Sequence, residues 1–181
     1  TFIEKGGTTI GIPPSRRIEN RIWQDGMYEG RHFDFIAIGT KWVEGCYCMP
    51  DAALRDALGR LVRQYRYVLI DAPGGLEHLN RRVTTQVNDI IDVLGPSAKS
   101  FAHLERAKRI ADECGIKYER FISVGGYQFP EELTERAMSV SGVLHLGKIS
   151  YDGEVLRRTI TGESIPGIPP GNPGPESVER I

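Results

Sequence analysis

Residues 66–75 read RYVLIDAPGG, an apolar run that ends in an aspartate and passes directly into a proline and two glycines. The four consecutive apolar residues at 67–70 predict a strand that is buried on both faces. Strands of this kind occur in parallel sheets that are covered by helices, so this stretch predicts an α/β fold.

Other apolar segments along the chain predict further strands at residues 32–39, 90–94, 120–124 and 143–149. Helical patterns lie between them, one with Asp51 as its N-cap, one capped by Ser100, and one with Pro130 as its first residue. Gly115 and Gly142 are placed to end the second and third helices. This alternation predicts an α/β fold with three layers, in which a mostly parallel sheet is flanked by helices.

Composition divides the chain into three parts. Residues 1–30 show no periodicity and predict an irregular segment, whereas residues 31–165 carry the predicted strands and helices of a single α/β domain. Residues 166–181 begin with a stretch rich in proline and glycine, which predicts an extended connector followed by the first turns of a helix.

The charge balance and hydropathy of the chain exclude several classes of protein. Its 181 residues include 23 Lys and Arg against 24 Asp and Glu, a net charge of −1 that does not favour nucleic-acid binding. No apolar stretch approaches the ~20 residues that cross a bilayer, so the sequence predicts no membrane span. Its 3 cysteines cannot form a disulfide framework. We therefore expect a cytoplasmic protein.

The aspartate at the end of the predicted strand is the first candidate functional residue. Asp71 would lie at the carboxyl edge of a parallel sheet, where ligands bind and where a carboxylate can hold Mg²⁺. Gly74 and Gly75 follow, and a glycine lets a backbone N–H group approach a terminal phosphate. This pattern is typical of a Walker B strand with a nucleotide-sensing loop. The alternative is a strand end followed by a simple tight turn.

A pair of cysteines forms the second candidate site. In an extended segment, the side chains of Cys46 and Cys48 point to the same side, and soft thiolates bind Zn²⁺, Cu⁺ or Ni²⁺. Two ligands do not complete a four-coordinate site, so a second copy of the chain would supply the others across a dimer axis. The alternative is that both are small core residues. Cys114 lies on the apolar side of a predicted helix, which indicates core packing.

Taken together, residues 44–48 and 67–82 resemble the nickel-insertion accessory proteins of carbon monoxide dehydrogenase, the CooC type, within the MinD/ParA group of P-loop ATPases. The similarity covers about residues 30–181. It implies a P-loop NTPase fold and a homodimer that uses ATP binding and hydrolysis to deliver nickel to a client such as carbon monoxide dehydrogenase.

The resemblance also implies roles for the candidate residues. Cys46 and Cys48 would hold Ni²⁺ or Zn²⁺ between subunits, and Asp71 would be the carboxylate on the Mg²⁺ side of bound ATP or ADP. Gly74 or Gly75 would sense the γ-phosphate.

The chain departs from this family in its amino-terminal part. Family members open with a Walker A motif of the form Gly-Lys-Gly-Gly-x-Gly-Lys-Thr, whereas residues 5–9 here share only its composition. The sequence therefore identifies no catalytic residue, and we expect an upstream part of the protein to carry that motif. Gly125, Gly126 and Tyr127 stand where the family usually places an adenine-reading asparagine.

Two alternative functions remain open from the sequence. One is a MinD/ParA-like regulatory ATPase without a metal, and the other is a binding module that has lost ATPase activity. The first would be favoured by buried cysteines far from any dimer surface, and the second by the missing Walker A motif.

Overall fold

A computed structural model describes residues 26–36, 59–60, 62–72 and 84–181. The chain divides into two compact units, residues 1–84 and residues 85–181. Among the described residues, no helix is long and apolar enough to cross a membrane.

The described part of the first unit contains a short antiparallel hairpin. Its strands are β1 (Met27–Glu29) and β2 (Asp34–Ile36), with Tyr28 opposite Phe35. Of the predicted strand at residues 32–39, Asp34–Ile36 form a strand, and residues 37–39 lie outside the described residues. Most of the predicted helix after Asp51 lies outside the described residues, although Gly59 and Arg60 are helical and Val62–Gln64 form a 3₁₀ turn.

Residues 67–70 do not form the buried strand that their apolar sequence predicts. They pair with no strand among the described residues, and the side chains of Leu69 and Tyr67 are 96% and 77% exposed. A central strand requires neighbours that pair its N–H and C=O groups and cover its side chains. This prediction is wrong for the described structure, because an apolar run does not by itself supply those neighbours.

The second unit is built on a parallel sheet of three strands in the order β3, β4, β5. These are β3 (Asp89–Leu94), β4 (Arg120–Gly125) and β5 (Leu144–Lys148). The register places Asp92 beside Ser123 and Ser123 beside His145. These strands confirm the predictions at residues 90–94, 120–124 and 143–149.

Four helices accompany the sheet of this unit. They are α1 (Ala98–Glu113), α2 (Thr134–Met138), α3 (Gly153–Thr161) and α4 (Pro173–Arg180). The predicted fold class is therefore confirmed: the unit is an α/β structure with a parallel sheet flanked by helices, consistent with the P-loop NTPase fold. Strand–helix–strand connections produce the parallel order, as expected for βαβ units.

The core lies between α1 and the sheet. The apolar side of α1 buries Phe101, Leu104, Ala107 and Ala111. Gly115 follows the helix with a φ of 65°, a left-handed conformation that confirms its predicted position at the C-terminal end. Cys114 is half-buried there.

Two helix starts differ from the prediction. Ser97, not Ser100, is the N-cap of α1, because the backbone of Ser97 is extended while the Ser100 amide already bonds to the Ser97 carbonyl at 2.9 Å. Pro130 is the N-cap of a 3₁₀ turn, Glu131–Leu133, and its ψ of 144° is extended. The fixed φ of proline suits both positions, so the sequence did not distinguish them.

The carboxyl-terminal part is more regular than its composition suggests. Residues 165–175 are not uniformly extended, since Ile165–Gly167 form a 3₁₀ turn and α4 begins at Pro173. Proline is accepted in the first turn of a helix, where its missing N–H group is not needed. Helix α3 is absent from the sequence-based predictions, although Asp152 and Gly162 cap its two ends.

Candidate functional site

The segments that follow β3, β4 and β5 meet at the carboxyl edge of the sheet. β3 leads through Gly95 into α1, β4 is followed by Gly126 and Tyr127, and β5 is followed closely by Tyr151. In open parallel sheets, ligands bind in the crevice outside the carboxyl ends of the strands. We therefore take this edge as the candidate site.

A tight turn follows β4 and places Tyr127 at the edge. The Gly126 amide donates to the Leu94 carbonyl at 2.8 Å, which ties the turn to the end of β3. The Phe129 amide donates back to the Gly126 carbonyl at 2.8 Å and closes the turn. Tyr127 and Gln128 are its two corner residues.

Phe129 anchors this turn in the core. Its side chain is 1% exposed, and its ring centroid lies 6.2 Å from that of Phe101 on α1. A Cβ atom at position 125 would lie 2.7 Å from the Phe129 ring and 2.8 Å from the Lys148 Cβ. Gly125 is therefore required for Phe129 to pack against β4 in this position.

Lys148 holds the same turn from the end of β5. Its Nζ atom donates to the Phe129 carbonyl at 3.1 Å and lies 3.2 Å from the Glu131 carboxylate. The side chain of Lys148 remains 32% exposed. Lys148 thus joins β5 to the segment that carries Tyr127.

Tyr127 and Tyr151 form an aromatic pair at the edge. Their ring centroids are 6.3 Å apart with an interplanar angle of 41°, and the two residues are 52% and 57% exposed. About half of the surface of each residue is therefore available to solvent. Such a pair can stack with a planar ligand.

Asp152 fixes the segment that follows Tyr151. One carboxylate oxygen, Oδ1, accepts from the Glu154 and Val155 amides at 2.8 and 3.3 Å and caps α3. The other oxygen, Oδ2, accepts from the Gly174 amide at 3.0 Å and links α3 to α4. Asp152 is 6% exposed and both of its oxygens are engaged, so its role is structural.

The start of α1 adds a polar surface to the edge. The Ser97 and Ser100 hydroxyl oxygens lie 3.1 Å apart, and Ser97 makes no side-chain cap to the helix. The N-terminus of a helix carries a partial positive charge that favours anionic groups. The edge therefore combines aromatic rings, hydroxyl groups and a lysine.

Of the five site residues predicted from the sequence, only Asp71 lies within the described residues. It is exposed and follows the unpaired segment 67–70, and the structure brings no second predicted site residue to it. Gly74, Gly75, Cys46 and Cys48 lie outside the described residues. Within the described ranges, no three His, Cys, Asp or Glu side chains converge in a way that could hold a metal ion.

No sequence motif marks Tyr127, Tyr151 or Lys148 as site residues. In the sequence, Tyr127 stands out only as a departure from a family pattern. The available signal was position, because each of the three residues lies at or just after the carboxyl end of a predicted strand. That signal does not show that the two tyrosine rings meet, which depends on the turn after β4 and on the cap of α3.

Comparison with known proteins relates the chain to ATP-binding proteins of Methanocaldococcus jannaschii. It is 29% identical to the uncharacterized ATP-binding protein MJ0685 over 182 residues, which span 99% of this chain and 72% of that protein. It is 30% identical to the uncharacterized ATP-binding protein MJ0823 over 142 residues, which span 76% of this chain and 55% of that protein. No family model and no solved structure matches.

Proposed function

We propose that this protein binds ATP at the carboxyl edge of its parallel sheet, with the adenine base on Tyr127 and Tyr151. The observation that carries the proposal is the pair of half-exposed rings, 6.3 Å apart, at the edge where such sheets bind ligands. The description of the M. jannaschii relatives as ATP-binding proteins supports it.

The residues at this edge suit the parts of a nucleotide. Nucleobases present a flat π-face that stacks on aromatic side chains without requiring a particular hydrogen-bond pattern. The hydroxyls of Ser97 and Ser100 and the α1 N-terminus favour anionic groups such as phosphates. The roles of Asp71 towards Mg²⁺ and of Gly74 or Gly75 towards the γ-phosphate rest on the CooC resemblance alone.

Removing both rings tests the base-binding role. In a Tyr127→Ala/Tyr151→Ala variant, we expect the Kd for ATP to rise about 5- to 150-fold, since stacking on aromatic side chains contributes ~1–3 kcal/mol per base. Isothermal titration calorimetry of the full-length protein, including any segment upstream of Thr1, would measure this. The matched Tyr127→Phe/Tyr151→Phe variant keeps both rings and should bind with a Kd near that of wild type. An unchanged Kd in the alanine variant would refute the assignment of the base site.

We further propose that the nucleotide site serves nickel transfer to a client enzyme such as carbon monoxide dehydrogenase. The sequence Cys46-Tyr47-Cys48 supports this, because two thiolates on the same side of an extended segment can contribute half of a four-coordinate site. A second copy of the chain would contribute the other half. The metal is then cargo, held by a homodimer and released when ATP binding and hydrolysis change its state.

Metal stoichiometry tests the role of the two thiols. Wild-type protein is expected to bind one Ni²⁺ or Zn²⁺ per dimer, and the Cys46→Ala/Cys48→Ala variant is expected to bind less than about a tenth of that, since two of four ligands are lost from each copy. Elemental analysis combined with the mass in solution would measure both. Cys114→Ala is the control and should retain the wild-type stoichiometry.

The outcomes of the two tests separate the proposed functions. Full stoichiometry in the Cys46→Ala/Cys48→Ala variant would overturn the ligand assignment. Intact ATP binding in a wild-type protein that binds no metal would favour a MinD/ParA-like regulatory ATPase. Absence of ATP binding by the full-length protein would favour a module without nucleotide function.

A further inference from the structure

We propose that His145 is a proton-sensitive latch for the candidate site: protonation of its buried ring displaces Phe129, and with it the turn that places Tyr127 beside Tyr151. Ligand binding at the edge is then lost as the pH falls. The ligand in question rests on the proposed function, whereas the latch itself is a property of the fold.

The proposal begins with a buried imidazole that is only half satisfied. His145 lies on β5 and is 9% exposed, and its Nδ1 atom is 3.0 Å from the Ser123 hydroxyl on β4. Its Nε2 atom is buried and has no hydrogen-bond partner among the described residues. In neutral imidazole one nitrogen donates and the other accepts, so one unsatisfied polar atom lies in the core.

An aromatic ring packs beside His145. The His145 ring centroid lies 5.9 Å from that of Phe129, which in turn packs on Phe101. A protonated ring would carry a second N–H donor and a positive charge into this environment, where an unpaired charge is costly. Burial therefore lowers the pKa of His145, while a hydrogen bond with the Ser123 backbone acts in the opposite direction.

Among the residues that the structure describes, no carboxylate forms an ion pair or hydrogen bond with His145. Asp92 on β3 lies beyond Ser123 in the register, and its carboxylate is 3.6 Å from His103 on α1. Burial raises the pKa of Asp92, and the charge of His103 counters that rise. Lys148 of β5 pairs with Glu131, and the Arg136 guanidinium of α2 lies 4.3 Å from the centre of the Phe101 ring.

Phe129 connects this ring to the candidate site. A protonated His145 must reach water or admit it, and the ring in contact with it is Phe129. Phe129 closes the turn through its amide bond to the Gly126 carbonyl, and its own carbonyl accepts from Lys148. Both hydrogen bonds are made by the Phe129 backbone, so they break only if the displaced ring takes its backbone with it. That displacement would release Tyr127, two residues earlier, from its position.

The direction of the pH dependence follows from linkage. In the closed state, Phe129 packs beside His145 as in the structure; in the open state, Phe129 has moved away and water reaches the imidazole. The open state binds the proton with an ordinary histidine pKa of about 6.5, whereas the closed state binds it only at lower pH. The closed latch is therefore fully favoured above that value. It is lost progressively as the pH falls towards the pKa of the closed state.

The first experiment observes the latch without any nucleotide. In NMR spectra of the full chain recorded from pH 8 to pH 5, the ring signals of Tyr127 and Phe129 are expected to shift together with those of His145, at a pH below the ordinary titration range of histidine. In a His145→Asn variant, which offers Ser123 a hydrogen-bond partner but cannot take up a proton in this range, the two aromatic rings should show no transition. The control His103→Gln should keep it.

Either of two results would overturn the latch. One is a His145 signal that titrates at or above its ordinary pH while the Tyr127 and Phe129 signals stay constant. The other is an identical transition of those rings in wild type and His145→Asn. The first result requires no variant, so it decides the matter even if His145→Asn does not fold.

The second experiment connects the latch to binding. Below the transition, the Kd for ADP of the full-length protein should rise by up to about tenfold per pH unit more in wild type than in His145→Asn, because one proton is coupled to closure. Titration of ADP itself affects both proteins equally. If the ring signals of Tyr127 and Phe129 shift as expected but the protein binds no ADP, the proposed function is refuted and the latch is retained. Equal pH dependence of ADP binding in both proteins would overturn the coupling.

Discussion

Replacing Phe129 with alanine is expected to lower the free energy of unfolding by about 3–5 kcal/mol, the usual cost of removing a fully buried phenylalanine. The ring is 1% exposed and lies between Phe101, His145 and the backbone at Gly125. Gly125 has no side chain that could move into the cavity. The variant should also lose ATP affinity, because the turn carrying Tyr127 is no longer anchored.

Urea unfolding of the full chain, followed by circular dichroism, would measure this loss. Tyr127→Ala is the matched control, because it removes an aromatic ring from the same turn at a position that is 52% exposed. We expect it to lower the free energy of unfolding by less than about 1 kcal/mol. A comparably small loss in Phe129→Ala would show that this residue is not the anchor described here.

Replacing Asp152 with alanine is expected to lower the free energy of unfolding by about 1.5–5 kcal/mol, through the loss of a helix cap and of a buried acceptor. The carboxylate caps α3 through two amides, and losing an N-cap costs ~0.5–2 kcal/mol. It also accepts from the Gly174 amide in the buried junction with α4, and leaving a buried donor unsatisfied costs ~1–3 kcal/mol. The two contributions add because one side chain makes both contacts.

The matched variant Asp152→Asn separates these two contributions. Its amide oxygen can still cap α3, whereas its NH₂ group would face the Gly174 N–H group and cannot accept from it. Urea unfolding should therefore place Asp152→Asn between wild type and Asp152→Ala. A free energy of unfolding that is unchanged in Asp152→Ala would contradict the role of this residue at the junction of α3 and α4.

The strands of the second unit and the helix α1 were predictable because their signals are local. The apolar runs at residues 90–94 and 120–124 and the spacing of Leu104, Ala107 and Ala111 each match one structural period. The α3 caps, Asp152 and Gly162, are equally local signals. Helix starts near proline and serine are not distinguished locally, because Pro130 suits both the N-cap and the first helical position, and both Ser97 and Ser100 are residues that can cap α1.

The candidate site was predictable only in its general location. The carboxyl edge of a parallel sheet follows from the alternation of strands and helices, and with it the expectation of a ligand there. Tyr127 and Tyr151 are 24 residues apart in the sequence. No local pattern indicates that their rings meet, because their contact depends on Phe129 filling the space above Gly125 and on Asp152 holding the segment after β5.

The amino-acid sequence alone determined the α/β class, the parallel strands of the second unit and the helix that covers them, because hydrophobic periodicity and capping residues act over a few neighbours. Tertiary structure alone decided which apolar runs become strands, as the exposed residues 67–70 show. It also brought the two tyrosines together and left the His145 Nε2 atom without a hydrogen-bond partner among the described residues. These features depend on neighbours that are distant in the chain, and only the folded arrangement supplies them.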